Sequence, residues 1–234
     1  MALDWREIDT VLLDMDGTLL DLYFESFFWL EHLPVRYSQI HCWDLAKSKA
    51  YLFEELNKNK GTIQWYSVDR WSDKLQVDIP ALREEVSANV GYRPFAEQFL
   101  QHLQKAPQRV ILVTNDHRSG VKMKIKRTAL DQYLDAIISS HDFDVAKEEQ
   151  EFWHQMQSVE PFDPSRTLFV DDTVAVLQSA QQYGIGHLRY ISQPDSQNIR
   201  QADCQFTAID CFSHVNQQLL QLIQDLQSKG LANN

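Results

Sequence analysis

The stretch TVLLDMDGTLL, residues 10–20, places a short apolar run directly before two aspartates and a glycine. A continuous apolar run of this length is typical of a strand buried on both faces of a parallel sheet. Asp14 and Asp16 would then stand at the carboxyl end of the strand, where open α/β sheets bind their ligands. Gly17 allows a sharp turn there and lets backbone N–H groups approach an anion. The stretch therefore predicts a ligand site at the end of the first strand.

Outside this stretch, short apolar runs alternate with helical patterns over most of the chain. Between these runs lie segments in which apolar residues recur at helical spacing, which indicates strand–helix–strand units. We therefore predict an α/β fold: a doubly wound, Rossmann-like parallel sheet with helices on both faces. The predicted strands cover residues 10–13, 110–113, 136–138, 167–170 and 187–191, and the predicted helices cover residues 94–104, 120–130, 148–159, 173–183 and 213–229.

Residues 21–92 differ from the rest because they contain no convincing strand and many aromatic side chains. The pattern predicts about four helices, inserted straight after the first strand. We expect this insert to fold as a helical cap over the strand ends, with residues 1–20 and 93–234 forming the α/β core. Trp29, Trp65 and Tyr66 are candidates for stacking on a ligand, although aromatic residues in such a segment also fit the packed interior of the cap.

The composition limits the partners that the chain can have. Its 234 residues include 22 Lys and Arg against 33 Asp and Glu, a net charge of −11, and 44% are hydrophobic, as in globular proteins. Nucleic acid polymers and anionic membranes are disfavoured because they do not attract a strongly anionic surface. A small phosphorylated ligand remains compatible with this charge, since it needs only local positive groups and a metal.

The cysteines and the apolar runs indicate where the chain acts. Cys42, Cys204 and Cys211 fit neither a disulfide framework nor a zinc site, and no apolar run reaches the length of a membrane span. We expect a reduced, cytoplasmic protein that works as a monomer or a homodimer.

Three more polar motifs follow later strands of the predicted sheet. Thr114 and Asn115 end the strand at 110–113, Lys147 comes after the strand at 136–138, and Asp171-Asp172 end the strand at 167–170. Taken singly, a lysine is commonly exposed and an aspartate can cap the next helix. Because the ends of parallel strands meet at one edge of a sheet, the ordered set predicts a single composite site. Several carboxylates in one small volume repel each other without a cation, and Mg²⁺ is the hard, oxygen-liganded ion that accompanies phosphate.

In this order, the four motifs resemble those of the haloacid dehalogenase superfamily. The resemblance implies that Asp14 is the nucleophile and a metal ligand. It implies that Asp16 is the general acid and base and offers its backbone carbonyl to Mg²⁺. Asp172 would be the metal ligand of the last motif. Asp171 would lie behind Asp172 and help to orient Lys147, or it would be the metal ligand in place of Asp172.

The same resemblance implies a phosphate-binding role for Thr114, Asn115 and Lys147. Two positions depart from the usual pattern of the superfamily. Glu148 follows the lysine where many relatives have proline, and Val176 stands where a further Asp or Asn is common.

Asp16 separates the reactions known in this superfamily. Dehalogenases lack an aspartate at that position because no leaving alkoxide needs a proton, so the resemblance implies a phosphatase or a phosphomutase. Further stretches of the chain, among them Phe28-Trp29, Trp65-Tyr66, His141-Asp142-Phe143 and Trp153-His154, resemble particular members of the superfamily. These members hydrolyse purine nucleoside 5′-monophosphates such as GMP and IMP, which implies a reaction through an aspartyl-phosphate intermediate. Hydrolysis of a sugar phosphate or of phosphoglycolate stays open. A regulatory binding protein on the same fold would predict a damaged motif set, and the motifs are intact.

Overall fold

The computed structural model describes residues 3–58, 60–199 and 204–228. Its strands are β1 (Thr10–Leu13), β2 (Arg109–Thr114), β3 (Ala136–Ser139), β4 (Thr167–Asp171), β5 (His187–Ile191) and β6 (Ala208–Ile209). They form one sheet in the order β3-β2-β1-β4-β5-β6, and every neighbouring pair is parallel. The predicted doubly wound sheet is confirmed. β6 was not predicted because two residues are too few to give a periodic pattern.

Residues 21–92, which follow the loop after β1, are largely helical. Their helices are α1 (Tyr23–Phe27), α2 (Leu33–His41), α3 (Leu45–Lys58), α4 (Ile63–Tyr66), α5 (Val68–Leu75) and α6 (Ile79–Glu85). A π-helical turn, Phe28–His32, joins α1 to α2 without a break. The insert has its own apolar cluster, in which Phe28, Leu52 and Trp71 are buried. We call this insert the cap.

The two connections between the cap and the sheet lie side by side. Leu20, on the way out, forms an antiparallel bridge with Tyr92, on the way back. Next to it, the backbone N–H of Asp21 donates to the carbonyl of Gly91 at 2.9 Å. The cap therefore leaves and rejoins the core through one paired segment, which we call the hinge.

In the described part of the chain, five α-helices follow the cap and lie before, between and after the remaining strands. They are α7 (Ala96–Leu103), α8 (Arg118–Thr128), α9 (Gln150–Val159), α10 (Val174–Tyr183) and α11 (Phe212–Ser228). Each matches a predicted helix within two residues at either end, and Lys229, the predicted end of the last one, lies outside the described residues. In the part of the chain that the structure describes, no helix is both long and apolar enough to cross a bilayer.

Both faces of β1 are covered, as its continuous apolar run predicted. Val11 and Leu13 belong to the apolar cluster that includes α7 and α11, whereas Leu12 belongs to the cluster that includes α9 and α10. All three side chains are fully buried, and burial of each stabilises the fold by roughly 1.5–3 kcal/mol. This packing fixes the end of β1 and therefore the position of the aspartate that follows it.

Candidate active site

Asp14 follows β1 and is nearly fully buried. The ammonium of Lys147 donates to its Oδ1 at 2.6 Å. Its other oxygen, Oδ2, is buried and has no hydrogen-bond partner among the described residues. A buried carboxylate oxygen without a partner is costly, since native structures satisfy nearly all such groups. Asp14 Oδ2 therefore suits a bound cation or an electrophilic atom.

Lys147 connects three neighbouring parts of the sheet edge. Besides Asp14, its ammonium donates to Asp171 Oδ2 at 2.8 Å and to the carbonyl of Val113 at 3.0 Å. Burial opposes its charge, but the Asp14 and Asp171 carboxylates raise the pKa of Lys147 above its usual value. The side chain is therefore a fixed positive charge beside Asp14. The two residues lie together as the sequence predicts, because the ends of parallel strands meet at one edge of the sheet.

Asp14, Asp171 and Asp172 form an acidic cluster in which one oxygen from each lies within 4.8 Å of the others. Burial raises the pKa of Asp171 well above its usual value, although Lys147 opposes this shift. The Asp171 carboxylate is oriented further by the Thr173 N–H, which donates to Oδ1 at 2.7 Å. Carboxylate oxygens at this spacing fit Mg²⁺, which prefers oxygen ligands.

Gly17 lets the loop after β1 lie directly on this cluster. Its φ of +83° belongs to the left-handed region that favours glycine. A Cβ at this position would lie 2.8 Å from Cγ of Asp172. Any other residue would therefore push the loop away from Asp172, so Gly17 is needed for both its conformation and its size.

Thr114 and Asn115 lie at the same edge of the sheet, at the end of β2. Thr114 Oγ1 accepts the N–H of Asp116 at 3.0 Å, which fixes the turn after the strand. The Asn115 amide accepts the N–H of Lys147 at 3.0 Å and donates to Glu148 Oε2 at 2.9 Å. Asn115 thus ties its own loop to the lysine loop.

Asp16 contacts a different lysine from Asp14. Its Oδ2 accepts from the ammonium of Lys124, on α8, at 2.6 Å, and 19% of its side-chain surface stays exposed. Burial raises the pKa of Asp16 to about 8 even though Lys124 opposes the shift, and the neighbouring Glu25 and Asp116 add to it. A carboxyl group with this pKa carries a proton at neutral pH and can donate it.

Sequence reasoning missed Lys124, its acidic partners Glu25 and Asp116, and Arg83, which pairs with Glu25. Lys124 stands in a basic helix among residues that look alike in sequence, such as Lys122 and Lys126. Its complete burial follows from tertiary packing, which no spacing along the chain reveals.

The three aromatic candidates of the cap have different positions. Trp65 donates its Nε1–H to the carbonyl of Leu56, inside the cap, at 2.9 Å. Trp29 donates its own to Glu25 Oε2 at 3.1 Å. The Tyr66 hydroxyl reaches the core and donates to Glu148 Oε1 at 2.9 Å. Burial, followed by the Glu148 carboxylate, raises the pKa of this hydroxyl. Tyr66 is therefore the candidate beside the sheet edge.

Comparisons with known proteins agree with this geometry. A family model described as haloacid dehalogenase-like hydrolase matches residues 8–184. A protein of Escherichia coli K12 named GMP/IMP nucleotidase YrfG is 36% identical over 192 residues, which cover 82% of this chain and 86% of that protein. In the crystal structure of a HAD phosphatase from Thermococcus onnurineus, the fold matches with a TM-score of 0.73 at 18% identity, over 94% of this chain and 98% of that one. The HAD-hydrolase YfnB of Bacillus subtilis, crystallised bound to magnesium, matches with a TM-score of 0.66 at 16% identity, over 91% and 99% of the two chains.

Proposed function

The chain belongs to the haloacid dehalogenase-like hydrolases, and from this membership we propose that it is a Mg²⁺-dependent phosphomonoesterase that acts on purine nucleoside 5′-monophosphates. The observation that carries the proposal is the pair of different aspartates at the end of β1. Asp14 has an oxygen without a hydrogen-bond partner among the described residues, and burial raises the pKa of Asp16 to about 8, so that Asp16 holds a proton at neutral pH. One group can attack phosphorus while the other protonates the leaving group.

In the first step, one carboxylate oxygen of Asp14 forms a bond to phosphorus as the bond between phosphorus and the ester oxygen breaks, and the other oxygen of Asp14 is left for the metal. The proton of Asp16 goes to the departing oxygen, which leaves as the alcohol. The products are an aspartyl phosphate at Asp14 and the carboxylate form of Asp16. Lys147 neutralises charge on the phosphoryl oxygens from beside Asp14, which is the main contribution that phosphoryl transfer asks of a protein.

In the second step, the Asp16 carboxylate takes a proton from a water molecule while the water oxygen bonds to phosphorus. The bond between phosphorus and Asp14 breaks, inorganic phosphate leaves, and both aspartates return to their starting forms. We propose that Thr114, Asn115 and Lys147 bind the phosphoryl oxygens in both steps. The contact of Thr114 with Asp116 and that of Asn115 with Lys147 hold the two loops in place.

Mg²⁺ fits the acidic cluster because Asp14 Oδ2 is buried without a partner and lies with the carboxylates of Asp171 and Asp172. We propose that Asp14, Asp172 and the backbone carbonyl of Asp16 hold the ion, with Asp171 kept by Lys147 behind them. When bound, the ion supplies positive charge that offsets the repulsion between these carboxylates and the phosphate.

The nucleotide preference rests on the relative named GMP/IMP nucleotidase and on the cap. Tyr66 presents an aromatic ring at the sheet edge, whereas Trp29 and Trp65 are hydrogen bonded within the cap. We propose that Tyr66 lies beside the nucleoside part of the substrate. We propose further that the protein acts in the cytoplasm, where cysteines such as Cys42, Cys204 and Cys211 stay reduced.

The proposal is tested by a panel of phosphomonoesters with Mg²⁺, read as released phosphate. GMP, IMP and AMP are compared with sugar phosphates and phosphoglycolate. Preference for GMP and IMP supports the proposed substrate, and preference for a sugar phosphate or phosphoglycolate overturns it while leaving the phosphatase activity in place.

Asp14→Asn, which keeps the shape of the side chain, should lower turnover at least about a thousandfold. Retained activity in that variant, with an unchanged circular dichroism spectrum, would contradict the assigned nucleophile.

A further inference from the structure

Lys124 is a completely buried lysine that the chemistry above does not use. Its side chain, on α8, is 1% exposed. The ammonium lies 2.6 Å from Asp16 Oδ2, 2.6 Å from Glu25 Oε1 and 2.7 Å from Asp116 Oδ2. An ammonium has three protons to donate, and here three carboxylates lie within hydrogen-bonding distance. The lysine is therefore held from three sides.

The three carboxylates come from different parts of the chain. Asp16 belongs to the loop after β1, Asp116 to the loop after β2, and Glu25 to α1 of the cap. The core thus provides the lysine and two acids, and the cap provides the third acid. The contact between Lys124 and Glu25 is an ion pair that joins the cap directly to the core, beside Asp16, the proposed general acid.

A second cation from the cap completes the cluster. Arg83, on α6, pairs with both oxygens of Glu25, at 2.6 Å and 3.3 Å, and lies 3.6 Å from Asp116 Oδ2. The Trp29 indole also donates to Glu25. These contacts fix the direction of the Glu25 carboxylate, so that the cap presents it to Lys124 in one orientation.

The sequence of α8 makes room for this arrangement. Gly120 precedes Lys124 by one helical turn, which places both on the same face of the helix. A side chain at Gly120 would collide with the Asp116 carboxylate. The glycine therefore allows Asp116 to lie against the helix and reach Lys124, although glycine is a poor helix former.

We propose that Lys124 is a positioning residue for Asp16, and that the cap completes its position through Glu25 and Arg83. With the cap docked, Lys124 holds Asp16 Oδ2 and leaves part of the carboxyl group accessible to the leaving oxygen. Without the cap contacts, a buried ammonium would lose a partner, which is strongly unfavourable. The position of the proton donor thus depends on a contact with the cap. This inference rests on the proposed function, because Asp16 has a leaving group to protonate only in a phosphomonoesterase.

The test compares two substrates in one variant. Lys124→Met removes the ammonium and keeps the length of the side chain. One substrate is the alkyl phosphomonoester that the wild type hydrolyses best, which needs a proton on its leaving oxygen. The other is p-nitrophenyl phosphate, whose leaving group is stable as an anion. We expect kcat/KM to fall at least about thirtyfold for the alkyl ester and less than about threefold for the aryl ester, since general acid catalysis is worth about 10²–10⁴.

Lys126→Met is the matched control, because Lys126 lies on the same helix and is 76% exposed, with a surface contact to Glu84 at 3.7 Å. It should leave both substrates unaffected. Glu25→Gln should reproduce the selective loss on the alkyl ester in milder form, because it weakens the contact of the cap with Lys124. Lys124→Arg, which keeps the charge, should recover part of the alkyl activity.

The outcomes separate this inference from the proposed function. A wild type that hydrolyses neither ester overturns the proposed function. A wild type active on both, with equal losses for the two substrates in Lys124→Met, overturns the role of Lys124 alone. If Lys124→Met does not fold, Glu25→Gln decides: a selective loss on the alkyl ester supports the inference, and an equal or absent loss overturns it.

Discussion

Asp14 and Asp16 stand two residues apart, and each contacts its own buried lysine. Asp14 contacts Lys147, which lies with Asp171, whereas Asp16 contacts Lys124, which lies with acids from the cap and the core. The two environments differ in the number of acids around each lysine. Two carboxylates of one short loop can therefore take different roles in one reaction.

Asp16 should give the reaction a pH dependence on the alkaline side. Burial raises its pKa to about 8, so the proton that it donates is present below that pH and lost above it. For alkyl esters we expect kcat/KM to fall above pH 8, by up to about tenfold per pH unit. Asp16→Asn should lack this dependence, and p-nitrophenyl phosphate should show little of it. Profiles of kcat/KM between about pH 6 and 10 measure this, and identical curves for both substrates would contradict the assignment.

Whether the sequence can place a residue in the site depends on whether that residue stands directly at the end of a predicted strand. Asp14, Thr114 and the Asp171-Asp172 pair could be named as neighbours because each stands at a strand end, and strand ends meet at one edge. Lys124 could not, because its partners come from three separate segments and its helix has no feature that distinguishes it from a surface helix. Strand and helix patterns cannot predict a residue whose role depends on contacts between the cap and the core.

At the scale of single elements, the π-helical turn at Phe28–His32 sets the direction of α1 relative to α2. A π turn contains one more residue than an α-helical turn. Its presence lets α1 present Glu25 to Lys124 while Phe28 and Leu33 stay in the cluster of the cap. No sequence pattern predicted it, because a single extra residue scarcely changes the apolar spacing.

Deletion of Leu30 should remove this extra residue and rotate α1 by about 100° relative to α2. Glu25 would then point away from Lys124, so we expect a loss of at least about tenfold in kcat/KM for alkyl esters, of the size that displaced catalytic groups cause. Leu30→Ala is the control: the side chain is 52% exposed, and surface substitutions change stability by about 0.5 kcal/mol or less. Equal activity of the deletion variant and Leu30→Ala would show that the π turn has no such role.

The short helix α4 brings Tyr66 to Glu148, in the place where many relatives carry proline. Tyr66→Phe removes one hydrogen bond between cap and core, a net change of about 1 kcal/mol. We expect kcat/KM to fall about fivefold with little change in thermal stability. Tyr37→Phe is the matched control, since Tyr37 is buried within the cap and stacks on Tyr51. If both variants have wild-type kinetics, the contact between Tyr66 and Glu148 does not assist the reaction.

At the scale of the whole molecule, the sequence predicts the sheet and its flanking helices more accurately than it predicts the helices of the cap. The strands are short, continuous and apolar, and the helices between them are amphipathic, so local pattern and global fold agree. The cap has more helical segments than the four expected, because short helices such as α4 are separated by single residues or turns. Its contacts with the core depend on side chains that meet only after both parts have folded.

Removal of metal should lower the stability of the whole protein. Mg²⁺ at about a hundred times its dissociation constant should stabilise the folded state by about 2.7 kcal/mol, which corresponds to a rise in Tm of about 5–10 °C for a chain of this size. Thermal unfolding with EDTA and with excess Mg²⁺ measures the shift. Asp172→Asn should reduce it to less than half, and an undiminished shift in that variant would place the ion elsewhere.

The hinge described above has a consequence for evolution. The cap begins and ends at neighbouring points, where Leu20 bridges Tyr92 and Asp21 donates to Gly91. To the sheet, an insert with adjoining ends is equivalent to a surface loop, and the entropy of closing a loop rises only slowly with its length. An ancestor could therefore enlarge, shorten or replace the whole insert without disturbing the order of the strands. With Tyr66 beside the substrate, as we propose, exchange of the insert would change the part of the site that meets the substrate and leave the aspartates of the core in place.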